Sequence, residues 1–172
     1  IPTPSVQVSQ AEGEPVPDTS PIQRIVIPAL GIDTVVAYVP YDEDKLTWLI
    51  EGLRDEVAWL GDTSWPGLGS NTVLAGHVTV RGLGNGPFRY LENLKEGDQV
   101  KIYTDENEYV YTMREQVTVN ETDLAVLLPT TQAQLTLVTC TGWDTELEIY
   151  RFRRVVFADL LRTEPIIRQG SH

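Results

Sequence analysis

The chain has one cysteine, Cys140, one methionine and two histidines, His77 and His172, among 172 residues. A single thiol excludes an internal disulfide and a multi-cysteine zinc site. No cofactor or metal motif is found elsewhere, so none is expected. Basic residues are also scarce, 13 against 25 acids, for a net charge of −12. That balance argues against nucleic acid as a partner, because phosphate binding needs a basic footprint. It argues equally against adsorption to anionic lipid, and the plain meaning of the acidity is solubility. No apolar run approaches the roughly 20 residues of a membrane span, and no signal peptide is visible. The chain opens at Ile1 rather than methionine, so it reads as a piece whose N-terminal anchor is missing. The glycine-dense stretch Arg81 to Pro87 lacks a following Gly-Lys-Ser/Thr and reads as a mobile surface loop, not a phosphate cradle.

What remains is a pattern of short strands. Residues 1–20 are rich in Pro, Ser, Thr, Gln and Glu and read as a flexible linker. The folded domain is expected over 21–161, and residues 162–172 read as a tail. Ile22 to Ile27 and Ile32 to Val39 are β-branched runs joined by a turn at Pro28 to Gly31. Lys45 to Leu60 has an ambiguous period: a loop, perhaps with one helical turn, and then a strand near Val57 to Leu60. Thr72 to His77 is a buried strand with His77 at its end. Phe88, Leu91 and Leu94 recur at the spacing of a short helix or 3₁₀ turn. Gln99 to Tyr103 and Glu108 to Val119 alternate as a hairpin around Asp105 to Asn107. Thr122 is placed to cap a short helix over Asp123 to Leu127. Leu135 to Thr139 is a strand, Thr141 to Glu148 a loop, and Ile149 to Leu160 a strand. About eight strand signals with only short helices predict an all-β domain, a closed barrel with helical inserts.

Cys140 is expected at the end of its strand, where a loop begins. A lone cysteine is more often an inert buried hydrophobe, and a lone histidine more often a satisfied structural residue. The functional alternative needs a basic or cationic neighbour, because the thiolate is the nucleophile. His77 is the only internal histidine. Arg151 and Arg153 share one strand face, and Arg154 takes the other by alternation, where it reads as a solvated residue.

These residues resemble the sortase family. Thr136-Leu137-Val138-Thr139-Cys140 matches its TLxTC signature. Arg153, thirteen residues after Cys140, lies in Arg153-Arg154-Val155-Val156-Phe157-Ala158, which is similar to the family's arginine strand. Asn71 to His77 is similar to its histidine strand, and Ile25 to Asp33 to its opening strands. The resemblance spans roughly residues 22 to 160, and its subgroup reads as the class D, E or F type.

It implies an eight-stranded barrel and a cysteine transpeptidase of the cell surface, membrane-anchored through a segment preceding Ile1. The implied substrates are proteins with a C-terminal LPxTG or LAxTG sorting signal, cut between Thr and Gly. The implied acceptor is an amine on a cell-wall precursor or a pilin lysine. By the resemblance Cys140 is the nucleophile, His77 the proton carrier and Arg153 the donor to substrate and oxyanion. Arg151 is the rival for the last role. Thr139 either lines the substrate groove or simply fills its strand. Trp143 either walls the groove or packs its loop. Asp105, Glu106 and Glu108 lack the pattern of a calcium loop and read as a solvated hairpin tip.

Two other readings stand beside this one. One is a thiol hydrolase or an L,D-transpeptidase-like fold; the latter places its His and Cys close together, unlike the 63-residue gap here. A non-catalytic barrel that binds extracellular peptides would need no Cys140.

Overall fold

The computed structural model describes residues 16–168 and 170. Eight strands close into a barrel. In chain order they are β1 (Arg24–Ile27), β2 (Ile32–Val39), β3 (Val57–Leu60), β4 (Asn71–Ala75), β5 (Gln99–Tyr103), β6 (Asn107–Asn120), β7 (Gln134–Asp144) and β8 (Ile149–Pro165). Around the barrel the order is β1-β2-β3-β4-β7-β8-β6-β5, and β5 closes on β1. Neighbours are antiparallel except the parallel pairs β2/β3 and β4/β7. The expected eight-stranded barrel is therefore present. Its helical inserts are 3₁₀ turns at Pro28–Leu30, Leu91–Asn93 and Ala125–Leu127.

Alternation along the strands builds two apolar layers. Ile25, Ile27, Leu74, Leu135, Leu137 and Val156 point inward and pack with Phe88, Leu91 and Leu94. Burying each large side chain of this kind contributes roughly 1.5–3 kcal/mol. Val73 and Ala75 of β4 point outward, with Ala58 and Leu60. Val138 of β7 joins this outer layer, and Trp48, Ile50, Leu53 and Leu127 pack over it. Asn71 ties that cover down: its amide donates to the Val126 carbonyl at 3.1 Å and the Leu128 carbonyl at 3.0 Å.

Several local expectations change. Cys140 is inside β7, which runs on to Asp144, so Trp143 sits on a strand rather than in a loop. The extension exists because Thr141 to Asp144 pair with Ile149 to Phe152 of β8. The last turn before β7 is not capped by Thr122. Asp123 Oδ1 accepts from the Ala125 N–H at 3.0 Å, while Thr122 bonds Asn120. Most of the 81–87 stretch belongs to a hairpin, Thr79–Val80 against Gly84–Asn85 with residues 81–83 as its turn. β8 takes in Arg162–Pro165, which pair with Asn107 to Val110.

At the other end of the chain Asp18 is buried, although its neighbourhood has the composition of a linker. Its carboxylate accepts from Thr104 Oγ1 at 2.6 Å, Tyr109 Oη at 2.8 Å, Asn107 Nδ2 at 2.9 Å and the Ser20 N–H at 2.9 Å. Residues 1–15 of the expected linker, and His172, lie outside the described residues.

Candidate active site

The site forms where two parallel strands part. β4 and β7 pair from Asn71↔Gln134 to Ala75↔Val138, and β4 then ends. Two further bonds carry the alignment on: Gly76 N–H to the Val138 carbonyl at 3.1 Å, and Thr139 hydroxyl to the Gly76 carbonyl at 2.8 Å. The chain then turns away, leaving His77 just past β4 at the level of Cys140. On its other edge, Cys140 is the direct antiparallel partner of Arg153. Directly opposed residues share a face of the sheet. Since Leu135 and Leu137 face inward and Val138 belongs to the outer layer, Cys140 and Arg153 face outward.

His77 is held from two sides. Its Nε2 is 2.8 Å from the Ile50 carbonyl. A carbonyl only accepts, so Nε2 carries a hydrogen and Nδ1 is left as the other nitrogen. Below it lies Gly86, where an added Cβ would stand 2.2 Å from the His77 carbonyl oxygen. The Phe88 N–H donates to that same oxygen at 3.0 Å. The glycine at position 86 is thus required by space.

Burial pushes the Cys140 thiol up, the Arg153 guanidinium pulls it down and the Glu121 carboxylate pushes it up, for a net rise. Arg153 Nη2 is 3.7 Å from Glu121 Oε2. Its Nη1 donates to the Phe152 carbonyl at 3.1 Å and the Tyr150 carbonyl at 3.4 Å. Arg151, the rival, lies further out on the hairpin and pairs with Asp144 at 3.4 Å. Sequence reasoning missed both Glu121 and Ile50. Ile50 acts through its backbone, which no side-chain pattern reveals, and Glu121 is one acid among 25.

Thr139 and Trp143 do not join the outward group. Thr139 is 3% exposed and has the inward parity of Leu137. Trp143 is 52% exposed and packs edge-on against Tyr150, ring centroids 4.9 Å apart. Both line a cavity of about 290 Å³ at the barrel mouth that extends to Cys140 and also takes in Arg89 and Arg154. Arg154 does point away from Arg153. It is half-buried rather than fully solvated, and its Nε is buried with no hydrogen-bond partner among the described residues. The acidic hairpin tip is neutralised locally, Asp105 by Arg168 at 3.0 Å and Glu108 by Lys101 at 3.8 Å.

Residues 25–161 match the family model for the sortase domain. The chain is 32% identical over 120 residues to sortase A of Listeria monocytogenes serovar 1/2a, an alignment covering 59% of this chain and 52% of that protein. The chain thus spans about half the length of this curated relative. Among solved structures it is similar to a Clostridium perfringens sortase D5 transpeptidase, with 28% identity and a TM-score of 0.65 over 82% of this chain and 79% of that one. The fold also matches L. monocytogenes sortase A, with 24% identity and a TM-score of 0.68 over 88% and 93%. The family match takes in the barrel from β1 into β8, with His77, Cys140 and Arg153 inside it, and on that basis the chain belongs to the sortase family.

Proposed function

We propose that the protein is a cysteine transpeptidase that cuts a sorting signal of the LPxTG or LAxTG type and passes it to an amine. The observation that carries this is the direct cross-strand pairing of Cys140 with Arg153 on the outward face, beside the strand end that delivers His77. Acyl transfer needs a nucleophile, a proton carrier and a donor where negative charge develops. The Cys140 thiolate attacks the Thr carbonyl and the C–N bond breaks. His77 gives its proton to the leaving Gly amine, and a Cys140 thioester remains. An incoming amine then attacks the thioester and loses a proton to His77. The C–S bond breaks, which restores the thiolate. With Nε2 occupied by Ile50, Nδ1 is the nitrogen left to exchange that proton.

Arg153 serves as the oxyanion and substrate donor, because a guanidinium is always charged and presents several N–H groups. Its hold on Glu121 is loose at 3.7 Å, so a substrate carbonyl can compete for it. The apolar outer layer of Val73, Ala75, Ile50, Leu53 and Val138 suits the aliphatic residue of the signal. On this reading the enzyme acts at the cell surface, held to the membrane.

The test is mass spectrometry with LPxTG-type and LAxTG-type peptides, each with a glycine-based amine. The expected result is a ligated product, or an adduct on Cys140, that is absent in Cys140→Ala. Turnover that persists in Cys140→Ala overturns the reading.

A further inference from the structure

The barrel-mouth cavity reaches Cys140 itself, and its charges are unusual for this chain. In a protein of net charge −12 its lining carries Arg89 and Arg154 against the single acid Glu92. Among the described residues neither arginine is in an ion pair, a state shared with Arg54 and Arg81, whereas Arg24, Arg114, Arg151, Arg153, Arg162 and Arg168 are paired. Arg154 has its Nε buried and unpartnered, which is costly for a charged donor unless something satisfies it. The Thr141 and Tyr150 side chains and the Trp143 ring complete the wall.

We infer that this cavity is a binding site for the carboxylate of a short peptide, and that the peptide is the amine acceptor. The second half rests on the transpeptidase reading above. A pair of forked guanidinium groups matches a planar carboxylate. At about 290 Å³ the cavity sits at the small end of ligand pockets and suits the end of a peptide rather than a polymer. The cavity extends to Cys140, so a peptide held there by its carboxylate can bring its amine to the thioester. On the β4 side the β7 ladder stops at Val138, which leaves that edge open at Cys140 among the described residues.

The direct test needs no catalysis. Nitrogen-labelled protein is titrated with acetyl-diglycine, its C-terminal amide and inorganic phosphate, and the backbone amide shifts are followed. The expected result is saturable shifts over residues 139–143, 150–154 and 89–92 with the acid, and binding about tenfold weaker with the amide. Arg89→Gln, an exposed change, and Arg154→Gln each reduce the acid-over-amide ratio, while Arg154→Lys retains part of it. Equal shifts with acid and amide overturn the site. Phosphate binding as tightly as the acid overturns the peptide carboxylate as its ligand. The acceptor assignment is read separately, from ligation yields with triglycine and triglycinamide on the peptide-acylated enzyme. A preference for triglycine that falls in Arg89→Gln supports it, and equal yields overturn it. Loss of acylation itself would instead defeat the transpeptidase reading and leave the titration intact.

Discussion

Arg153 and Glu121 pull the Cys140 thiol in opposite directions, and burial adds to the side of Glu121. The folded-state pKa is raised, so the thiolate is the minority form at neutral pH. Reactivity is expected to rise as pH climbs through a value above the ordinary thiol figure of about 8.5. The rate of Cys140 alkylation by iodoacetamide against pH measures this. Arg153→Ala removes a cation and moves the midpoint up. Glu121→Gln removes an anion and moves it down. A shift in the opposite sense in either variant contradicts the electrostatic account. The imidazole gives a second residue-level readout. With Nε2 donating to Ile50, nitrogen NMR of neutral His77 is expected to show the Nε2–H tautomer, and an Nδ1–H form would mean that this hydrogen bond is not made in solution.

The hairpin after β4 places the histidine. Gly86 leaves no room for a side chain against the His77 backbone. If His77 is the proton carrier proposed above, Gly86→Ala is expected to lower peptide turnover at least about tenfold, since small misplacements of such a group cost that much or more. The Cys140 alkylation profile reports whether the nucleophile's strand survives the change. Unaltered turnover would show that the loop yields and that His77 does not depend on it.

The strands themselves were legible in the sequence wherever one face is buried and the other is not. The alternation of Val100 and Ile102, then Tyr109, Tyr111 and Met113, marks β5 and β6 plainly. Three features escaped because their signal lies in a partner segment. The outer part of β7 contains Gly142 and exposed Trp143, and it is strand only because β8 pairs with it. Arg162–Pro165 look like a tail until Asn107 to Val110 are placed beside them. The inward turn of Arg154 followed from parity, but the burial of its Nε did not, since residues distant in sequence, Arg89 and Glu92, share its cavity. At the site, the cysteine and arginine were legible through the resemblance to the sortase motifs, with Arg151 left as a rival by parity, whereas the hold of Ile50 on His77 required the fold.

Across the whole molecule, the site and the ends of the described chain lie at opposite extremes of the long β6/β8 ribbon. Cys140 and Arg153 stand level with Val119, while Asn107 and Pro165 pair at the far end. Twelve residues of strand separate the two levels of β8, a path of about 40 Å. Asp18 docks the N-terminal segment at that far end. Burial pushes its carboxyl up, but the hydrogen bonds from Ser20, Thr104 and Asn107 outweigh this and hold it well below the usual carboxylate range. A depressed folded-state value means the contribution to stability is complete above the unfolded value near 3.9 and declines as pH falls below it. Asp18→Ala strands the buried hydroxyls of Thr104 and Tyr109. The expected cost is about 2–4 kcal/mol, a fall in Tm of roughly 5–15 °C for a domain of this size. Thermal melts at pH 7 and pH 3 measure it, and the gap between wild type and variant should narrow at the lower pH. A gap that stays constant would mean the carboxylate's charge is not what matters.

The Asp18 anchor also fixes how the molecule answers to being pulled. A pull applied from the N-terminal side loads the bonds to Thr104 and, at the start of β6, to Asn107 and Tyr109, before it reaches β1. From there it passes into the β5–β6 turn, away from β7. Load applied there enters the barrel at the pole opposite the Cys140–Arg153 pair.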